Sequence, residues 1–220
     1  GMFIGLVVGV GGMVLPLVTR GEAVADAATT GRDHLVRAGH LLAAIALAAS
    51  FWIEDRVSQS GGLAMRAGVT LAVLLIAGKI YRLPVVPGWH RRLVWISAWM
   101  IPSGYALAAL YPIQMKAGLH VVFIGGFALM AFSVGLHVTL AHGGYTRLAS
   151  GRPWQVPVFS GLMLAAMVMR ALCDFDRARF FHWLGAAAAA FLLSTVAWGW
   201  LVVPRLLRSP RPDERGAGAV

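Results

Sequence analysis

Seven long apolar stretches divide the chain, and each is about the length of a membrane-crossing helix. They occupy residues 2–19, 36–53, 63–83, 93–113, 117–141, 155–173 and 181–204. A helix needs about 20 mostly apolar residues to cross the hydrocarbon core of a bilayer. The strands of a membrane barrel would instead alternate in short segments, a pattern that this sequence does not show. The pattern predicts an all-α, polytopic transmembrane helix bundle with about seven spans.

The two ends of the chain differ in character. The bundle is predicted to cover residues 1–204 as one domain, and residues 205–220 form a polar tail that we expect to be disordered. The chain opens on Gly1 inside an apolar run, and no basic stretch precedes that run. No cleavable signal peptide is therefore predicted, and we expect a native N-terminal portion to be missing.

Composition supports a membrane protein and excludes several other classes. Charged residues make up 13% of the chain and apolar residues 59%, whereas about a quarter of a soluble domain is charged. The formal net charge of +10 fits arginine-rich loops beside anionic lipid. No basic run is interleaved with aromatic residues, so membrane lipid is an expected partner and nucleic acid is not. The single cysteine, Cys173, excludes an internal disulfide and a complete cysteine metal site.

The distribution of lysine and arginine predicts the orientation. The loops after spans one, three and five, together with the tail, carry 13 of the 19 Lys and Arg residues, and the other loops carry 6. The richer side should be cytoplasmic, which also places the C-terminus there. This sorts the histidines by depth. The cytoplasmic half receives His34, His40, His90, His137 and His142, and the outer half receives His120 and His182.

The fifth span accepts histidine but no formal charge. Residues 118–145, "GLHVVFIGGFALMAFSVGLHVTLAHGGY", contain His120, His137 and His142 and no Asp, Glu, Lys or Arg. On a regular α-helix, His120 and His142 would differ by about 40° in azimuth and lie about 33 Å apart. They would share a face and mark two sites, one at each membrane boundary. His137 would lie about 100° away from that face.

Histidine in such a span has two interpretations. It can sit at the interface as a neutral, hydrogen-bonded ring, or it can bind a metal, since imidazole is a common haem and copper ligand. Histidines without carboxylates favour a ligand role over a proton relay. The predicted partners are His182 for His120, and His40 or His90 for His142.

Other features of the spans favour packing. The glycines of the fifth span allow close helix contact, although they would equally make room for a flat macrocycle. Trp95 and Trp99 share a helix face and are interpreted as packing residues, with a cofactor pocket as the alternative. The methionines are interpreted as core or lipid contacts rather than copper sites. Asp174 and Asp176 are expected to form a solvated salt-bridge cluster with nearby arginines.

Three segments together resemble the NnrS family. "HVVFIGGFALMAFSVGLHVTLAHGG" resembles that family's histidine-bounded helix. "LVWISAWMIPSGYALAAL", with Trp99, Ile101, Pro102 and Gly104, resembles its helix with a tryptophan and an Ile-Pro-x-Gly element. "LLRSPRPDERG" is similar to its C-terminal ending. The segments lie in order within residues 90–215, and the first 90 residues fit only in general character.

The resemblance implies a bacterial inner-membrane protein that contains haem and copper and is associated with denitrification and resistance to nitric oxide stress. It places His120 and His142 on the two motif histidines. His137 stands where the family has an arginine. Gly143 and Gly144 replace a Thr-Gly pair, and Tyr145 replaces a second arginine, with Arg147 close by. Because members are generally longer, the chain is expected to be a C-terminal portion or a short member.

Taken with the histidines of the fifth span, the resemblance implies a haem- and copper-binding protein that handles nitric oxide or iron–nitrosyl species. Enzymatic activity is left open. Tryptophan and glycine faces would hold a porphyrin, and arginines near the boundary would pair with its propionates. The predicted cofactor-binding residues are His120, His142, His137, Trp99 and Arg147. The predicted metal ligands are His120, His142, His40 and His182.

Two alternative functions remain at this point. A small-molecule transporter is disfavoured because no acidic residue lies inside a predicted span. An electron relay similar to a b-type cytochrome fits the depths of His120 and His142. It lacks, however, a second span with histidines at both depths.

Overall fold

Helices follow one another along the chain in the computed structural model, which describes residues 15–21 and 31–208, with side chains from residue 37 onward in the second range. Residues 15–20 are helical. The later helices are α1 (Gly31–Arg56), α2 (Gln59–Ile76), α3 (Trp89–Leu110), α4 (Met115–His120, Val121–Ala128 and Leu129–His142), α5 (Thr146–Ser150), α6 (Gln155–Phe175) and α7 (Phe180–Leu207). Single 3₁₀ turns, Pro112–Gln114 and Arg177–Arg179, precede α4 and α7. No strand occurs in these residues.

Six of the described helical stretches are long and apolar enough to cross a membrane. They correspond in order to the second through seventh predicted spans, so the prediction of an all-α bundle is confirmed. Most of the first predicted span lies outside the described residues. Only its end, residues 15–20, is seen as helix.

The boundaries of the predicted spans required correction. Predicted span 63–83 is the helix Gln59–Ile76. It begins early because the Ser58 side chain accepts a hydrogen bond from the backbone N–H of Gly61, at 3.1 Å. α1 continues to Arg56 and so includes acidic residues that the predicted span excluded. α7 continues to Leu207, so residues 205–207 of the tail predicted over 205–220 are helical. Residues 209–220 lie outside the described residues.

Glycines bring α3 and α4 into backbone contact. A Cβ added at Gly118 would lie 2.5 Å from the backbone nitrogen of Ala108, and one added at Gly104 would lie 2.7 Å from the carbonyl oxygen of Gly118. At Gly126, a Cβ would meet Ile101 at 2.7 Å. Small residues allow helices to approach this closely within a membrane. The packing interpretation is therefore confirmed at Gly118 and Gly126, where α3 fills the space that a macrocycle would need.

The middle of α4 is a π-helix over Val121–Ala128. At its end, the backbone N–H of Leu129 bonds to the carbonyl of Ile124, five residues earlier. Such stretches are rare and often lie at functional sites. A π-turn holds more residues than an α-turn. The count of 100° per residue that placed His120 and His142 on one face therefore does not apply across it, and that premise was wrong.

A cluster of aromatic side chains joins α4 to α6 and α7. The Phe132 ring packs among Phe159, Phe191 and Trp198, with ring centres 5.0–6.4 Å apart. The Trp198 indole donates to the carbonyl of Phe132 at 2.8 Å, and the Ser194 hydroxyl donates to that of Phe159 at 2.7 Å. These bonds satisfy polar groups inside an apolar bundle.

The connections gather at two opposite ends of the bundle. At one end, the backbone N–H of Val85 donates to the carbonyl of Thr19 at 3.1 Å, and Tyr145 donates to the carbonyl of Arg208 at 2.6 Å. At the other end, the amide of Gln59 donates to the sulfur of Met115. Gly88 also lies beside Ala149, so the described parts of the loops after spans one, three and five lie together with the end of α7, as predicted. That this end is cytoplasmic stays a prediction.

Candidate functional site

Two histidines from different helices meet at the end of the bundle where α3 begins. Nε2 of His90 lies 3.3 Å from Nδ1 of His137. The ring centres are 5.4 Å apart and the planes differ by 24°. His90 is only 2% exposed, and His137 is partly buried near the end of α4. We call these two residues the histidine pair.

Gly88 fixes the position of His90. Its φ of 136° lies in a region that L side chains rarely adopt. A Cβ at Gly88 would lie 2.7 Å from the carbonyl oxygen of Ala149 and 3.0 Å from the His90 ring. The backbone of α5, at Ala149, and the His90 ring both lie against this glycine. The local sequence "PGWHRR" thus places His90 on the first turn of α3, beside α4.

Arg91 supplies positive charge next to the histidine pair. One of its terminal nitrogens donates to the carbonyl of Val18 at 2.8 Å. Its Nε is buried and has no hydrogen-bond partner among the described residues. The arginine lies close enough to both imidazoles for its charge to act on them. A buried guanidinium N–H of this kind fits an anionic acceptor such as a carboxylate.

The spacing of the histidine pair permits two arrangements. One ring can donate an N–H to the other, or both nitrogens can ligate one metal ion. A tetrahedral centre with metal–nitrogen distances of about 2.0–2.1 Å separates two ligand nitrogens by about 3.3 Å. The observed 3.3 Å therefore fits a chelating pair, and imidazole is a ligand that copper accepts. No group of three or more His, Cys, Asp or Glu residues suited to a metal is found in the described ranges.

His120 lies toward the opposite end of the bundle, in the first part of α4. Its Nδ1 is 2.6 Å from the carbonyl oxygen of Lys116. Because a carbonyl only accepts, Nδ1 carries the proton and Nε2 keeps its lone pair. Metal-binding histidines commonly use their other nitrogen in this way. The predicted partner, His182, is exposed and makes no hydrogen bond or ring contact with the described part of the chain.

Two charged side chains of α6 lie near His120 instead. Arg170 and Asp174 lie close enough for their charges to act on it. A terminal nitrogen of Arg170 and an oxygen of Asp174 are buried without hydrogen-bond partners among the described residues. Asp176, expected to pair with arginine, accepts from the backbone N–H of Arg179 at 3.3 Å and the Trp183 indole at 3.1 Å. It therefore caps a turn, and the predicted solvated cluster was wrong.

The remaining predicted site residues are dispersed. His142, in the last turn of α4, and Arg147, in α5, are both exposed. His142 lies near enough to act electrostatically on His137. His40 lines an apolar cavity of about 590 Å³ between α1 and α2. Trp99 meets Trp95 edge-on, with centres 6.5 Å apart and planes at 76°, beside an open groove.

His137 was therefore predicted as a site residue, but its partner His90 was not. His90 appeared only as a helper of His142, whereas the structure places it against His137. The available signal was depth, because His90 and His137 fall in the same half of the bundle. Arg91 was not singled out.

In the resemblance to the NnrS family, Tyr145 aligns with an arginine. Its side chain is 1% exposed, and its hydroxyl reaches the end of α7. The guanidinium of Arg205 lies 5.9 Å from the centre of its ring. A positive charge therefore stands beside this position, supplied by α7.

Comparison with known proteins identifies the family. The family model described as NnrS protein matches residues 1–211. The match includes the first 90 residues, whose sequence resembles the family only in general character. No curated protein and no solved structure gives a significant match. With nearly the whole chain matched, this protein belongs to the NnrS family.

Proposed function

We propose that this protein is a haem- and copper-binding multi-pass membrane protein of the nitric oxide response, acting on nitric oxide or iron–nitrosyl species. The observation that supports it is the histidine pair, held at metal-ligand spacing in a member of the NnrS family. Polar groups buried at membrane depth are seldom retained without a role. The chain's own contribution is to position uncharged donors from two helices.

Copper fits the histidine pair best. The His90 ring packs close to the bare Cα of Gly88, and His137 is held on α4. A bound copper ion would supply a redox-active centre to which nitric oxide can bind. The two imidazoles would hold it, and the neighbouring Arg91 would stabilise negative charge on a bound ligand.

His120 is the residue that would hold haem, at the other end of the bundle from the histidine pair. Nε2 of His120 would be the donor to the iron, because Nδ1 bonds to the carbonyl of Lys116. The unpartnered nitrogen of Arg170 suits a propionate oxygen, although Asp174 beside it would compete for that arginine. A bound haem would supply iron for nitrosyl chemistry.

Purification of the full chain in detergent tests this function. We expect a Soret absorption band and stoichiometric copper. His90→Ala and His137→Ala should each lower the retained copper tenfold or more, because ligand removal leaves one donor. His120→Ala should lower the Soret band and leave copper in place.

The matched control is His182→Ala, which removes an exposed histidine from α7 and should change neither signal. A wild-type protein with no Soret band and no copper would overturn the proposed function. Unchanged copper in both His90→Ala and His137→Ala would remove the histidine pair from it.

A further inference from the structure

Two methionine sulfurs converge on one glycine in the middle of α4. Gly125 lies in the π-helix, and a Cβ added there would lie 2.5 Å from the sulfur of Met100 and 2.6 Å from that of Met167. The two sulfurs are therefore at most about 5 Å apart. Met100 belongs to α3 and Met167 to α6. We call these two residues the thioether pair.

In each methionine, the sulfur is the atom nearest to the Cβ position of Gly125. The next nearest atom to the same point is Cγ of Met100, at 3.6 Å. Both side chains thus present sulfur, not a methyl group, to the bare backbone of Gly125. Each methionine alone reads as a packing residue, but packing has no need for two sulfurs to meet at one point.

Thioether sulfur selects a particular metal. It is a soft, uncharged donor, which favours Cu(I) over Zn²⁺ or Mg²⁺. A neutral donor set also avoids placing an anion in the hydrocarbon, where charge is costly. Trp99 lines the same open groove as Met100, and indole faces attract cations. The surroundings thus suit a single, soft positive charge.

We propose that Met100 and Met167 bind Cu(I) in the middle of the membrane, across α3, α4 and α6. The site is separate from the histidine pair, because Met100 follows His90 by ten positions on α3, which correspond to about 15 Å along the helix axis. It rests on the proposed function only in the choice of copper as the metal. It adds a second, sulfur-liganded position for that metal along the α3–α4 contact.

The test uses detergent-purified full chain under ascorbate, with a chromophoric Cu(I) chelator as competitor. The His90→Ala/His137→Ala double variant isolates the thioether pair. We expect it to retain one Cu(I) per chain, with sulfur neighbours in X-ray absorption. Adding Met100→Leu or Met167→Leu should weaken Cu(I) binding tenfold or more. Leucine conserves volume, so the fold should survive.

Met169→Leu, two residues from Met167 on α6, is the matched control and should leave Cu(I) binding unchanged. Equal Cu(I) affinity in Met100→Leu, Met167→Leu and the control would overturn the proposal, as would X-ray absorption without sulfur neighbours. The Soret band and the histidine-dependent copper are measured on the wild type. If the wild type shows neither signal, the proposed function is overturned. Whether the thioether pair binds Cu(I) is decided separately, by the chelator competition and X-ray absorption.

Discussion

Gly88 shows how one residue without a side chain can position a functional group. Its backbone conformation turns the chain into α3, and its bare Cα admits both the Ala149 carbonyl and the His90 ring. Any other residue at this position would have to displace one of them. The geometry of the histidine pair therefore depends on a residue that contributes no donor.

Replacement of Gly88 tests this dependence. Gly88→Ala should lower the free energy of unfolding by about 1–3 kcal/mol, because alanine is strained at a φ of 136°. It should also lower copper retention by pushing on the His90 ring. Thermal unfolding followed by tryptophan fluorescence and copper content measure the two effects.

The matched control is Gly161→Ala on α6, where an added Cβ meets nothing within 4 Å. It should leave the unfolding midpoint unchanged or raise it, since alanine favours helix. If Gly88→Ala behaves like Gly161→Ala, then Gly88 does not constrain the histidine pair.

The chemistry of single residues was more predictable from sequence than their partners. An imidazole in a charge-free span already pointed to His120 and His137. The contact of His90 with His137 depends on how two helices are rotated against each other, and a single span carries no record of that rotation. The convergence of two sulfurs on Gly125 could not be predicted from the sequence for the same reason.

At the scale of elements, α1 and α2 are joined by a buried arginine. Arg66 donates from Nε to the hydroxyl of Ser50 at 3.0 Å and forms an ion pair with Glu54. Its guanidinium also lies 3.6 Å from the centre of the Phe51 ring. The sequence predicted no acidic residue inside a span. Glu54 lies within α1 because the helix continues beyond the apolar run, to Arg56. Arg66 balances the charge of Glu54.

Breaking this pair should separate the two helices. Glu54→Gln should lower the free energy of unfolding by about 3–5 kcal/mol, because it leaves the Arg66 guanidinium, 5% exposed, without its counter-charge. The double variant Glu54→Met/Arg66→Met should be milder, since neither charge remains. The thermal midpoint in detergent measures both.

Asp55→Asn provides the comparison, because Asp55 pairs with Arg56 at the surface, where both are at least 70% exposed. It should change stability by about 1 kcal/mol or less. A midpoint for Glu54→Gln no lower than that of Asp55→Asn would show that the buried pair does not hold α1 to α2.

Apolar runs predicted which elements exist because lipid leaves helix as the only way to pair the backbone. Their ends were less predictable. The start of α2 depends on the Ser58 cap, and the end of α1 on a charge pair with another helix. Neither feature is apolar, so hydropathy does not register it.

At the scale of the whole molecule, the loops divide between two ends, and the arginine count predicts which end faces the cytoplasm. Cysteine labelling tests this on a Cys173→Ala background, since Cys173 is the only cysteine. Val85→Cys and Ser150→Cys should react with an impermeant reagent only from the cytoplasmic side. Ile113→Cys and Val57→Cys should react only from the other side, and all four positions are exposed.

The two ways of failing have different meanings. Reaction of all four cysteines from the reverse sides would overturn the orientation and leave the bundle intact. Reaction of Val85→Cys and Ile113→Cys from the same side would contradict the bundle itself. A helix count alone does not decide between these outcomes.

The π-helix of α4 sets the angular phase between the two halves of that helix. One residue fewer within Val121–Ala128 would restore a regular α-turn and rotate Leu129–His142 by about 100° about the helix axis. His137 would then turn away from His90, although every histidine remained in the sequence. In this protein, the length of a stretch without histidines determines which histidines meet.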